Sequence, residues 1–173
     1  MKLKQVDKDQ LSFSFWKGYI LFEYFELEIN QGLHNKNLQD VFNELKKECF
    51  GKQVAGTLDS HDSNSSVYGI YDLNQIEFAH FKLISREEFT KSVIDYVISN
   101  YKSEMGKNEL EMLRLEEIIK THFHLIHTSF KIILAYKDDL PKLKFPMRYD
   151  FFKSYLLLSE DFRQYLHVEI AYD

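Results

Sequence analysis

Cysteine is almost absent from this 173-residue chain: Cys49 is the only one. A single thiol excludes an intrachain disulfide and a cysteine-built zinc site, and Cys49 reads as a small buried hydrophobe near a helix end. Only two prolines occur, Pro141 and Pro146, both inside DDLPKLKFP, where they mark a connection near the C-terminus rather than a domain boundary. No Gly/Ser linker, low-complexity tract or internal repeat divides the sequence, which reads as a single globular domain over residues 1–173. No apolar run approaches the roughly 18 residues that a membrane span needs. The opening MKLKQVDKDQ lacks the apolar core of a signal peptide, so the expected location is the cytoplasm, away from any membrane.

Recognisable catalytic motifs are missing too. The sequence has no GxxxxGK[ST] for phosphates, no GxGxxG for dinucleotides, no GxSxG elbow, no CxxC and no HExxH. No cofactor and no metal is therefore expected. The balance of 22 cationic against 27 anionic residues, a net charge of -5, argues against a nucleic-acid partner, which calls for a basic excess.

Cations are also missing locally. No Lys or Arg lies between Lys17 and Lys36 or between Lys52 and Lys82, while these stretches carry Glu23, Glu26, Glu28, Asp59, Asp62, Asp72 and Glu77. The same stretches carry Tyr19, Tyr24, Tyr68 and Tyr71, and tyrosine is enriched at interface hot spots. By contrast, Lys131, Lys137, Lys142, Lys144 and Arg148 crowd a short later segment.

What is present is an ordinary globular composition, 45% hydrophobic and 28% charged. In LSFSFWKG the apolar side chains alternate, and Lys17-Gly18 turns the chain into a second run, YILFEYFELEI, with Leu21, Phe25, Leu27 and Ile29 on one face. A single helix with Leu11, Phe15, Tyr19, Phe22, Phe25 and Ile29 on one side is the rival reading; the density of aromatic residues favours strands.

Asn37 suits the N-cap of a helix reaching about Cys49, with Val41, Phe42 and Leu45 inward. Beyond the loop TLDSHDSNSS, the runs SVYGIY and QIEFAHFKLI read as strands joined at Asp72-Leu73-Asn74. Ser85 to Glu88 is a capping box opening a helix with Phe89, Val93 and Val97 on one side. A longer helix is expected from Glu109 to Tyr136, another after Pro146 with Tyr149, Phe152 and Leu156 inward, a short one over Glu160–Tyr165, then LHVEIAY as a closing strand. The fold class is α+β: an antiparallel sheet built mainly from the N-terminal half and the C-terminal strand, packed against four or so amphipathic helices.

The densest chemical signal is HFHLIH, with His122, His124 and His127 inside six residues. On a helical wheel Met112, Leu115, Ile119, Phe123, Ile126, Phe130 and Ile133 fall within about 40° of Ile119. His122 then lies at about -60°, His127 at about +80° and His124 at about +140°, too divergent to chelate one ion. His124 should be exposed and the other two should edge the buried stripe. His80 is expected on the inner face of a strand.

Two functions from different classes fit these features. The leading one is a non-enzymatic protein-binding module with an acidic, tyrosine-rich face, formed by Glu26, Glu28, Asp59, Asp62, Tyr68, Tyr71 and Asp72, that engages a basic protein, as an inhibitor or immunity-type neutraliser of a toxic enzyme does. The alternative is a small hydrolase using His61 with Asp59 or Asp62, or a histidine cluster assembled across elements. Association into a homodimer through the apolar helices is compatible with either.

Overall fold

The computed structural model describes residues 2–13, 18–28, 37–46, 67–68, 71–72, 75–104, 109–137 and 151–172. These residues form an α+β arrangement around a six-stranded antiparallel sheet. The strands are β1 (Lys2–Phe13), β2 (Gly18–Glu28), β5 (Phe81–Leu83), β6 (Ile132–Tyr136), β7 (Phe151–Leu158) and β8 (Gln164–Tyr172), in the order β1-β2-β8-β7-β6-β5. Among the described residues the short strands β3 (Val67–Tyr68) and β4 (Tyr71–Asp72) pair with each other, in a separate two-stranded sheet. Three α-helices occur among the described residues: α1 (Leu38–Leu45), α2 (Arg86–Glu104) and α3 (Glu109–Ser129).

Alternation along the strands divides the core into two layers. On one face Ile20 and Phe22 of β2, Val168 and Ile170 of β8 and Leu157 of β7 pack under Phe89 and Val93 of α2 and Ile119, Phe123 and Ile126 of α3. On the other, Leu21 and Phe25 of β2, Tyr165 of β8, Leu156 and Leu158 of β7 and Phe81 of β5 pack with Val41, Phe42 and Leu45 of α1. Each such aliphatic or aromatic side chain contributes roughly 1.5–3 kcal/mol when fully buried. Because β2, β7 and β8 are covered on both faces, they read as near-continuous apolar runs.

Both N-cap hydrogen bonds expected from the sequence form. Asn37 Oδ1 accepts the Asp40 amide at 3.0 Å, and Ser85 Oγ accepts the Glu88 amide at 3.0 Å. The aromatic N-terminal region is strands, as its alternation indicates, and not a helix.

Other expectations are corrected. Among the described residues three α-helices rather than four or so pack on the sheet, while four of its six strands (β1, β2, β5 and β8) come from the N-terminal half and the C-terminal strand as expected. The long helix stops at Ser129 instead of running to Tyr136. There Thr128 Oγ1 turns back to the carbonyls of His124 and Leu125, and the Lys131 amide donates to Leu158 of β7, which starts β6. The helix expected after Pro146 is strand β7, whose residues alternate between two buried faces, so a run apolar on both sides imitated a helical stripe.

The short helix over Glu160–Tyr165 is a turn leading into β8. Ser159 Oγ lies 2.7 Å from Asp161 Oδ1, and Asp161 in turn accepts the Arg163 amide at 3.1 Å. The run QIEFAHFKLI, residues 75–84, holds as strand only the three-residue β5, preceded by a 3₁₀ turn at Phe78–His80. The hairpin placed at Asp72-Leu73-Asn74 lies instead within residues 67–72. Helix α1 is described as far as Leu45, short of Cys49, which lies outside the described residues.

No helix among the described residues is long and apolar enough to cross a membrane.

Candidate functional site at the end of the sheet

The acidic, tyrosine-rich set predicted from sequence is distributed over separate elements. Glu26 is exposed near the end of β2, and Glu28 closes that strand. Tyr68 sits on β3, and Tyr71 and Asp72 sit on β4, in the separate hairpin. Asp59, Asp62 and His61 lie outside the described residues. In the β1–β2 register Lys4 pairs with Glu26, Lys2 with Glu28 and Lys8 with Glu23.

What the structure gathers is the neighbourhood of Glu26. An open cleft of about 800 Å³ lies between the end of β2, the C-terminal end of α3 and the β7–β8 turn; Glu26, Ser129, Lys131, Glu160, Asp161 and Arg163 line it. Beside it runs a second, more apolar groove of about 210 Å³, walled by Tyr24, Phe25, Leu125, Phe130 and Tyr165. Glu26 and Gln164 border both. Leu125 is 42% exposed although Phe130, Tyr24 and Tyr165 around it are buried, so the groove carries an apolar rim that the core does not use.

The turn that walls the cleft is built by its own polar residues. The hydrogen bond from Ser159 holds the Asp161 carboxyl below the ordinary carboxylate range; slight burial opposes this, and the amide and guanidinium of Arg163 reinforce it. Arg163 Nε is 3.7 Å from Asp161 Oδ2, an ion pair within the turn. Phe162 adopts a φ of 57°, left-handed backbone that a bulky residue takes only where neighbours enforce it. Sequence reading missed this turn. Its signal was Ser159-Glu160-Asp161, turn-forming residues immediately before the alternation of β8.

The histidines are dispersed. His124 and His127 are exposed on α3 as the wheel requires of the first, while His122 is buried rather than at an edge. Its ring stacks on Phe22 at 4.0 Å, and Nδ1 lies 2.7 Å from the Tyr24 hydroxyl. His80 belongs to the 3₁₀ turn instead of an inner strand face, and its Nδ1 accepts the Glu77 amide at 3.1 Å.

His167, which sequence reading did not single out, is fully buried on β8 on the face opposite α2 and α3. Its Nδ1 is 3.4 Å from Glu23 Oε2, its Nε2 3.4 Å from Glu169 Oε1 and 3.2 Å from Ser154 Oγ. Serine, imidazole and Glu23 follow one another as in a hydrolase triad. Yet Ser154 is 2% exposed and offers no face to a substrate, and Glu169 shares the nitrogen a serine base needs. This is an ionisable core rather than an active site. Among the described residues, no group of three His, Cys, Asp or Glu side chains is arranged to hold a metal ion.

No family model and no curated protein matches the chain. Among solved structures it is similar to citrus MAF1 in two crystal forms, both at 12% identity. The TM-scores are 0.42 and 0.44, over 89% of this chain and 86% and 87% of the other chains. Likeness that distant says nothing of what this chain does.

Proposed function

We propose that the chain is a non-enzymatic protein-binding module that docks a basic partner segment at the end of the sheet. The observation that carries this reading is the continuity of an apolar groove with a polar cleft through Glu26 and Gln164. A segment with one large apolar anchor would seat it beside Leu125 and Phe130 and lay its cations toward Glu26 and Glu160. Anchors in a desolvated pocket supply most interface affinity, and rim charges set specificity and encounter rate. Arg163 is occupied by Asp161 within the turn, so the cleft's carboxylates outweigh its remaining cation, Lys131. The chain's net charge of -5 steers such a partner in a salt-dependent manner.

We propose the same role, contact with a basic partner, for Glu28, Tyr68, Tyr71 and Asp72, and for Asp59 and Asp62, which lie outside the described residues. A basic toxic enzyme, of the kind that inhibitors and immunity proteins neutralise, is one partner of this chemistry.

The test is a titration of ¹⁵N-labelled protein with a lysine-flanked phenylalanine peptide, with a glutamate-flanked peptide as control. The lysine peptide should shift amides near Glu26, Leu125, Phe130 and Gln164, and Leu125→Asp or Glu26→Lys should weaken it about tenfold each. Equal binding of the acidic peptide, or shifts confined to other surfaces, would overturn the proposal.

A further inference from the structure

Strand β1 stands at one end of the strand order, and among the described residues it pairs with β2 alone. The outer side of such a strand is a template for one more strand. Its charges follow a rule of parity. Every lysine of KLKQVDKDQ holds an even position (Lys2, Lys4 and Lys8), and both aspartates, Asp7 and Asp9, hold odd ones. Residues directly opposite each other in antiparallel pairing share a face of the sheet. In a regular strand the residues of one face share one parity. A regular strand laid antiparallel on its own copy would therefore never set a lysine opposite an aspartate, and like charges would keep the copies apart.

The bulge in β1 reverses this. Gln5 stands opposite Phe25 and Asp7 opposite Tyr24, which leaves Val6 as one extra residue. Beyond it the two faces exchange parity. Lys2, Lys4, Asp7 and Asp9 stand opposite Glu28, Glu26, Tyr24 and Phe22, all even positions of β2, so the four share one face. An antiparallel pairing about a twofold axis between Gln5 and Val6 sets Lys2 opposite Asp9 of the other copy and Lys4 opposite Asp7. Symmetry supplies each pair twice. Leu3 then faces Lys8 and Gln5 faces Val6, so no like charges meet. Both strands carry the same extra residue, and neither runs ahead of the other.

We infer that the outer edge of β1 is the surface on which two copies of this chain join, through residues 2–9. A slide of two residues in either direction keeps only one kind of charge pair, Lys4 opposite Asp9 or Lys2 opposite Asp7. Charge thus selects the register as well as the partner. A second copy carries the complementary order by necessity, which is what singles it out as the occupant of this edge.

The test is the mass of the full chain by sedimentation equilibrium at concentrations up to about 1 mM, with circular dichroism to check the folding of each variant. The unaltered chain should form a dimer. Asp7→Lys together with Asp9→Lys sets lysine against lysine and should weaken the dimer about tenfold or more. Lys2→Asp together with Lys4→Asp sets aspartate against aspartate and should do the same. Mixing the two variants should restore a dimer with one chain of each, because every charge on the shared face again meets its opposite. An unaltered chain that stays monomeric overturns the inference. So does a dimer indifferent to Asp7→Lys with Asp9→Lys, which would be built on another surface, or a mixture that associates no better than either variant alone. Should Lys2→Asp with Lys4→Asp not fold, the unaltered chain and the Asp7→Lys, Asp9→Lys variant decide between them.

Discussion

The two faces of the sheet bury the same residue type by different means. Under α2 and α3, His122 lies among hydrocarbon, stacked on Phe22 and bonded to the hydroxyl of Tyr24. On the other face His167 lies between two carboxylates, directly opposite Glu23 in the β2–β8 register, with Ser154 opposite Glu169 on the neighbouring strand. A neutral partner asks little of a buried ring. Buried charges demand mutual compensation, because removing them from water costs several kcal/mol per ion. The first face is thus held by packing and the second by a matched polar set whose members depend on one another.

Breaking that dependence should give the largest effect. Glu23→Ala leaves the remaining buried groups uncompensated and should cost about 3–5 kcal/mol in urea unfolding. The contrast sharpens in the triple variant Glu23→Leu, His167→Phe, Glu169→Leu, which should unfold within about 2 kcal/mol of the unaltered chain, because an apolar set of similar volume carries no charge to compensate. A triple variant as unstable as the single one would show that the polar set is itself the source of stability.

On the helix-covered face Tyr24→Phe removes one hydrogen bond and keeps the ring. About 1–2 kcal/mol should be lost, well below the Glu23→Ala value in the same assay. The smallest effect belongs to the exposed turn. Its folded Asp161 carboxyl titrates below the ordinary 3.8, so its contribution is complete above that pH and is lost as pH falls through the folded value. Asp161→Asn should therefore lower stability slightly at neutral pH and flatten its dependence on pH below about 4, read from thermal unfolding across that range.

Legibility from sequence followed the range of the interactions. The caps at Asn37 and Ser85 were readable because each closes over three residues. The strand nature of β1 and β2 was readable from the density of aromatic residues, although β2 too is buried on both faces. Strand β7 was misread because burial on both faces erased the period of two, and α3 was drawn too long because Phe130 and Ile133 continue its stripe after the backbone has changed. The candidate site was out of reach in a stronger sense. Its walls come from β2, α3 and the β7–β8 turn, and only pairing of Glu26 with Gln164 brings them together. Glu23 and His167 likewise stand 144 positions apart, a separation that no local pattern records.

The position of β8 has a consequence in time as well as in space. It lies between β2 and β7, yet it is the last strand of the described chain to be synthesised. Until it arrives, the β1–β2 hairpin has its inner edge open, with Ile20, Phe22 and Tyr24 on one side and Leu21 and Phe25 on the other. Closing so long a loop makes folding slow, and an open apolar edge invites pairing with the wrong chain. A nascent chain of this sequence is most exposed to wrong pairing during that interval, before β8 covers the open edge of β2.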